Sequence, residues 1–239
     1  DARDLIDGAN VVPERMIMQL LFPADGNVGI AIKANGVDYT YDYDPGDVWK
    51  TNNYTALTTT SLWTAPTTAD PFAAFKTVKD AIRSKTGDEL TIAIMNTYTF
   101  NLMAATNAVK NRYLTTNGLS LGYLTDAEVK AIVEATSGLR IAIYDKQYKD
   151  ESGVAHSFVP DGYVCLIPAG NLGNTWYGTT PEEADLQGAS SAEVSIVNTG
   201  VAITREIQNH PVNINTFASE IVLPSYERMD SVGVLKVIT

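Results

Sequence analysis

The stretch Asp161–Leu186, DGYVCLIPAGNLGNTWYGTTPEEADL, sets how the rest of the chain is read. It opens with an apolar run, Tyr163 to Ile167, of the length expected for one buried strand. Pro168 and Gly170 stop that run. Gly173, Trp176, Tyr177 and Gly178 then fall within six positions. Two aromatics among glycines predict a loop whose backbone packs closely against a neighbouring surface. Thr180, Pro181 and Glu183 follow with the spacing of a helix start: an N-cap hydroxyl, a proline at the first helical position and a Glu three residues after the cap. The stretch holds no general base, metal cluster or phosphate cradle. It reads as an element that fits a surface.

The whole chain has 239 residues, 45% of them hydrophobic and 19% charged, so it can bury a core in one domain or two modest ones. Its net charge is −11. Such a body lacks the Lys/Arg clusters that hold a phosphate backbone tightly. The apolar runs are far shorter than the ~18 residues of a membrane span. Asp1-Ala2-Arg3-Asp4 is polar and acidic, unlike a signal peptide. Cys165 is the only cysteine, which rules out an intrachain disulfide and fits a cytosolic origin; inside an apolar run it is expected to be a buried, inert thiol.

Outward from the opening stretch, the chain alternates helices and strands and predicts a mixed α+β protein. Residues 1–21 read as a helix in two pieces, interrupted at Gly8 and Asn10, with Pro13 in the first turn of the second and Met16, Ile17, Leu20 and Leu21 as its apolar stripe. Val28–Lys33 and Val37–Tyr43 read as a hairpin turned by Asn35-Gly36. Tyr39, Tyr41 and Tyr43 share one face of its second strand. Thr51–Thr68 reads as a loop. Asp70 is expected to cap a helix to about Ser84 with Phe72, Phe75, Val78 and Ile82 inward and Gly87 past its end. Leu90–Met95 reads as a strand and Thr97–Asn111 as a helix. Thr125 and Glu128 form a capping-box pattern ahead of Val129, Ile132 and Val133, and Gly138 stops that helix. Leu139–Tyr144 is expected to be a strand and Lys146–Ser157 a hairpin or exposed loop. Val194–Ile207 reads as strand-rich with a bend at Gly200, and Ile221–Leu223 and Val232–Ile238 as closing strands around a Pro224-Ser225 turn. The N-terminal hairpin and the C-terminal strands are expected to pair.

Four short patterns bear on chemistry. Gly118-Leu119-Ser120-Leu121-Gly122 matches G-x-S-x-G, but a nucleophile elbow needs a strand before the Ser and a helix directly after it. Here the preceding residues look helical, and His156 and His210, the only two histidines, lie in a polar loop and before a proline. A serine-type hydrolase using Ser120 is therefore the enzyme alternative. Asp42, Asp44 and Asp47 sit close together without the spacing of a calcium loop, and Pro45 breaks the pattern. Glu182, Glu183 and Asp185 place negative charge near a helix start. Tyr226–Asp230 carries both charge signs in an apolar end and reads either as a solvated turn or as a subunit contact in which Arg228 pairs with a neighbour's carboxylate. Neither cofactor nor metal is expected.

The opening stretch also resembles the lambda-type major capsid proteins of tailed phages, the capsid protein E family. The resemblance rests on a strand, a Gly-rich turn and Tyr177-Gly178-Thr179-Thr180-Pro181-Glu182, together with the tail His210–Thr239, HPVNINTFASEIVLPSYERMDSVGVLKVIT. It implies the tailed-phage (Hong Kong 97-like) capsid fold: residues 1–22 as the end of a spine helix, 23–88 with 189–239 as a discontinuous peripheral domain, and 89–188 as the axial domain. It implies that an N-terminal arm and an extended loop are missing here. It implies self-assembly into hexamers and pentamers of an icosahedral virion capsid, built in the host bacterial cytoplasm with portal and scaffolding proteins. That shell encloses double-stranded DNA without sequence-specific binding and without a membrane. A decoration or tail component is the second structural reading. The expected assembly residues are Trp176, Tyr177, Glu182, Glu183, Arg228 and Asp230, because aromatics and Arg are enriched at interface hot spots.

Overall fold

The computed structural model describes residues 2–34, 37–117, 124–150, 152–185, 192–196, 200–210 and 212–239. The Asn35-Gly36 turn and the Gly118–Gly122 pattern with Ser120 lie outside them. In chain order the elements are α1 (Ala2–Leu21), β1 (Gly29–Ala34), β2 (Val37–Asp42), α2 (Val48–Asn53), β3 (Tyr54–Ala56), α3 (Pro71–Thr86) and β4 (Leu90–Met95). Then come α4 (Thr97–Ala105), α5 (Asn107–Asn117), α6 (Asp126–Ser137), β5 (Arg140–Ile143), β6 (Gln147–Lys149), β7 (Ala155–Ser157) and β8 (Tyr163–Pro168). The last are β9 (Thr175–Gly178), α7 (Pro181–Asp185), β10 (Ala192–Ile196), β11 (Val201–Asn209), β12 (Val212–Pro224) and β13 (Gly233–Lys236). The mixed α+β class is as expected.

The chain divides into two compact units. One comprises residues 1–17 and 173–227, the other 18–172 and 228–239. This division differs from the expected boundaries near 22, 88 and 188. The reason lies in the larger unit's sheet, ordered β3-β13-β8-β4-β5. Residues 54–56 and 233–236 contribute strands to the same sheet as 90–95 and 163–168, so both flanks of the central segment fold with it. β13 runs parallel to β3 and antiparallel to β8. The expected pairing of the N-terminal hairpin with the C-terminal strands is not what forms: β1 and β2 make a two-stranded sheet of their own.

The helices of the larger unit cover this sheet. Asp70 caps α3 by accepting from the Phe72 and Ala73 amides at 3.0 and 3.1 Å, and Gly87 closes it at φ 79°, a left-handed value that glycine adopts without strain. Its inner face, Phe75, Val78 and Ile82, is buried as the pattern predicts. The Thr125–Glu128 capping box and the Gly138 stop of α6 are also as expected. Trp63, Phe75, Phe100, Met103, Leu166 and Leu235 belong to one continuous core. Gly233 lies where a Cβ would come within 2.3 Å of the Val78 side chain, so the sheet and α3 approach at a distance only glycine allows.

Several elements depart from the sequence reading. The helix α1 is continuous from Ala2 to Leu21 with Pro13 inside it. The expected helix 97–111 is two, because Thr106 takes an extended ψ of 144° and its hydroxyl donates to the Met103 carbonyl. Part of the expected loop 51–68 is structured. Trp49 and Trp63 are each 1% exposed, the Trp49 indole donates to the Met229 carbonyl at 2.7 Å, and the Asn53 amide donates to the Asp230 and Val232 carbonyls at 2.8 Å. Those partners lie about 180 residues away, where no local pattern could reveal them.

The smaller unit is built on the sheet β10-β11-β12-β9, all antiparallel. The Trp176-Tyr177 segment is a strand, β9, rather than a loop. Its register against β12 places Trp176 opposite Leu223 and Tyr177 opposite Val222. The 13-residue β12 is longer than the predicted closing strand, since Asn213 and Asn215 mask its start. Asn174 and Ser225 lock the end of this sheet: the Ser225 amide donates to the Asn174 carbonyl at 2.6 Å and the Asn174 amide to the Ser225 hydroxyl at 2.8 Å. A Cβ on Gly173 would lie 2.2 Å from the Ser225 carbonyl oxygen.

Candidate assembly surface

Strand alternation sorts the smaller unit's side chains into two faces. Residues directly opposite in an antiparallel pair share a face, so Trp176 joins Leu223, Ile221 and Phe217 on one of them. All four are exposed: Trp176 by 65%, Phe217 by 50%, Ile221 by 47% and Leu223 by 36%. From Phe217 to Leu223 the stripe runs roughly 20 Å along β12. Gly178, opposite Ile221, leaves room for it: a Cβ there would come within 2.8 Å of Ile221 Cγ2. On the other face Tyr177 is 41% exposed and its ring covers Gly200, which turns at φ 83°. Toward the far end of β11 and β12 a second apolar group, Ile207 paired with Ile214 and next to Val212, is also exposed. Ser219 lies between Phe217 and Ile221 on this face, and Trp176, Ile221 and Leu223 form its continuous apolar part, which makes it a candidate interaction surface.

Of the six expected assembly residues, Trp176, Tyr177, Glu182 and Glu183 lie in the smaller unit and Arg228 and Asp230 in the larger. Trp176 and Tyr177 are neighbours on β9 and therefore point to opposite faces. Glu182 and Glu183 sit in the first turn of α7, half-buried. The Thr180 hydroxyl accepts from the Glu183 amide at 3.3 Å, so the predicted cap forms. The oxygen Oε2 of Glu182 is sequestered without a hydrogen-bond partner among the described residues. Arg228 and Asp230 belong to the larger unit. The Arg228 guanidinium is engaged inside its own chain: it pairs with Asp88 at 2.9 Å and reaches the Ala169 and Asn171 carbonyls at 3.4 Å. Ser231 also donates to Asp88. Together Ser231 and Arg228 hold the Asp88 carboxyl below its ordinary pKa. Asp230 accepts from Lys85 at 3.0 Å. The sequence reading missed Phe217, Ile221 and Leu223; their alternation with Ala218, Glu220 and Val222 was the available signal.

Among the described residues, the aspartates of 42–47 and His156 have local partners. Asp44 accepts from the Val48 and Lys50 amides at 3.0 and 2.9 Å, capping α2, and Asp42 accepts from the Asp44 amide. Among the described residues no group of three or more His, Cys, Asp and Glu could hold a metal ion. His156 bonds Asp150 at 2.8 Å and stacks on Tyr148 within the β6–β7 hairpin. Cys165 is wholly buried, and burial pushes its thiol pKa up. No described helix is long and apolar enough to cross a membrane.

Solved structures share this fold. A crystal structure assigned to the capsid protein of a prophage in Escherichia coli CFT073 superposes with a TM-score of 0.69 at 17% identity over 99% of this chain. A phage-related protein from Bordetella bronchiseptica RB50 superposes at 0.55, with 12% identity over 98% of the chain. The chain spans 65% of the length of each. No curated protein matches it. The family model for phage major capsid protein E matches residues 2–234. A sheet that leaves an apolar stripe to water, in a chain matched by that family model from one end almost to the other, places this protein in the phage major capsid protein E family.

Proposed function

We propose that this chain is the shell-forming part of a phage or prophage major capsid protein. Copies of it associate into hexamers and pentamers that close into an icosahedral shell around double-stranded DNA. The observation that carries this reading is the family match over residues 2–234. The physical arrangement supports it: the larger unit stitches distant chain segments into a closed core, and the smaller unit exposes a stripe suited to a neighbour. In this reading the larger unit is the axial domain, and the smaller unit is the peripheral domain with the spine helix. Trp176, Tyr177 and the Phe217–Leu223 stripe carry copy-to-copy contact, with Glu182 and Glu183 in the same unit. Arg228 and Asp230 act within the chain. A portal and a scaffolding protein complete the assembly in the bacterial cytoplasm. The net charge of −11 lets packaged DNA lie against the wall without sticking. The hydrolase alternative is not favoured by the family.

Electron microscopy of the expressed full-length protein tests this reading. Rings of five or six copies, or closed shells, are the expected outcome. A monomer at every concentration and salt would overturn it.

A further inference from the structure

A ring of five or six identical chains cannot be closed by a contact that pairs a patch with itself. It needs two different patches, one offered to either side. We infer that the two apolar patches of the smaller unit are that pair: the tip of the β11–β12 ribbon in one copy lies on the Trp176, Ile221 and Leu223 face of the next. This contact rests on the ring-forming reading above.

The tip is a ribbon of only two strands. β10 accompanies β11 as far as Glu206, and β9 pairs with β12 only from Ile221 onward. Beyond β10, Ile207 stands opposite Ile214 and Asn209 opposite Val212, with no third strand beside them among the described residues. A two-stranded ribbon is marginal in water unless its apolar face is covered. Here that face is open: Val212 is 87% exposed, Ile207 66% and Ile214 56%. The register also fixes where the two patches point. β12 pairs with β11 without a break from Val212 to Glu220 and then with β9 from Ile221 to Pro224. Its side chains therefore alternate along the whole strand. Val212 and Ile214 lie on one face, Ile221 and Leu223 on the other, with roughly 25 Å of strand between the two groups.

A sheet with one apolar patch at the end of its front and another at the opposite end of its back stacks on copies of itself like overlapping tiles. Each tip covers the stripe of the next copy, and every copy uses both patches. Tip on tip would leave each stripe to water, and stripe on stripe each tip. Charge points to a second copy as the occupant. The chain carries a net charge of −11, yet residues 171–181 and 207–219 contain no Asp, Glu, Lys or Arg. Copies that repel one another elsewhere can approach where neither side is charged. A nucleic acid finds no Lys or Arg in either stretch. Each patch exposes on the order of 300 Å², so one contact hides about 600 Å² of apolar surface, enough for the centre of a standard interface of about 1,600 Å².

The test uses the full-length protein with Val212→Cys and Ser219→Cys together; buried Cys165 stays in place. The two sites lie on opposite faces and roughly 23 Å apart along β12, too far for a disulfide within one chain. Oxidation of assembled rings should give a covalent ladder on non-reducing gels that ends at the ring's own copy number, and either substitution alone should give monomers. Ile207→Ser with Ile214→Ser should lower the ring fraction on the order of tenfold, with circular dichroism identical to the unsubstituted protein. Dimers from Val212→Cys alone would show tips meeting tips, and dimers from Ser219→Cys alone would show stripe on stripe; either overturns this contact. Rings without a ladder would give the stripe another occupant, overturning the contact and leaving the capsid reading standing. No rings in the unsubstituted protein would overturn both.

Discussion

In the larger unit, β8 buries five of its six residues, and β13 buries three of four. In the smaller unit, β12 is just as apolar toward its end, yet Phe217, Ile221 and Leu223 face water at 36–50% exposure. Both strands have the same kind of sequence; what differs is whether the chain supplies a cover. Helices α3 to α6 supply it for β8, so that apolar area stabilises the folded monomer. The stripe on β12 is apolar area that the described residues of this chain leave to water, so it adds little to the stability of the folded monomer. The titratable groups divide in the same way. Asp88 in the larger unit is tied by Arg228 and Ser231 and its pKa is lowered; Glu220 on β12 lacks a hydrogen-bond partner for Oε2 among the described residues, and burial raises its pKa.

If this contrast holds, Leu166→Ala and Leu235→Ala should each destabilise the larger unit by about 2–5 kcal/mol in urea unfolding, because both side chains are 0% exposed in a close-packed core. A loss near zero would mean that the core is not closed. Asn53→Leu should cost about 1–3 kcal/mol, since the Asp230 and Val232 carbonyls lose their donor. Asp88→Asn probes charge. A carboxyl whose pKa is lower folded than unfolded adds stability above the ordinary carboxylate pKa of about 3.9, and that stability is lost as pH falls through the lowered value. The substituted protein should lose less stability between neutral and strongly acid pH than the original, as read by Tm against pH. Glu220→Gln should act with the opposite sign. Its raised carboxyl costs stability when ionised, so the substitution should raise Tm at neutral pH and change nothing once both forms are uncharged. Trp176→Ser with Phe217→Ser should leave monomer stability within about 0.5 kcal/mol while abolishing rings, and a large loss of stability would show that the stripe is covered within the monomer.

Much of this was legible where local chemistry decides. Asp70, Thr125, Gly87 and Gly138 each mark a helix end by hydrogen bonds or backbone angles that involve only near neighbours. The hairpin strands β1 and β2, and strands β4, β5 and β8, announce themselves by apolar pattern. What the sequence hides is pairing at a distance. Asn53 looks like a loop residue until Val232 is beside it, and Trp176 looks like a loop aromatic until Leu223 fixes it in a strand. Gly8 and Asn10 read as an interruption, yet α1 runs through both. Trp176 and Tyr177 point to assembly by residue type alone. The stripe that gives Trp176 its company became visible only through the register of β9 on β12.

The position of β13 has a consequence for timing. It lies between β3 and β8, and residues 169–232 of the chain separate it from β8. At about 5–20 residues per second, a ribosome needs several seconds after finishing β8 to deliver it. During that interval the sheet lacks an inner member, and α3 lacks the strand whose Gly233 packs against Val78. A nascent copy therefore closes the core of its larger unit only when nearly the whole chain has been made.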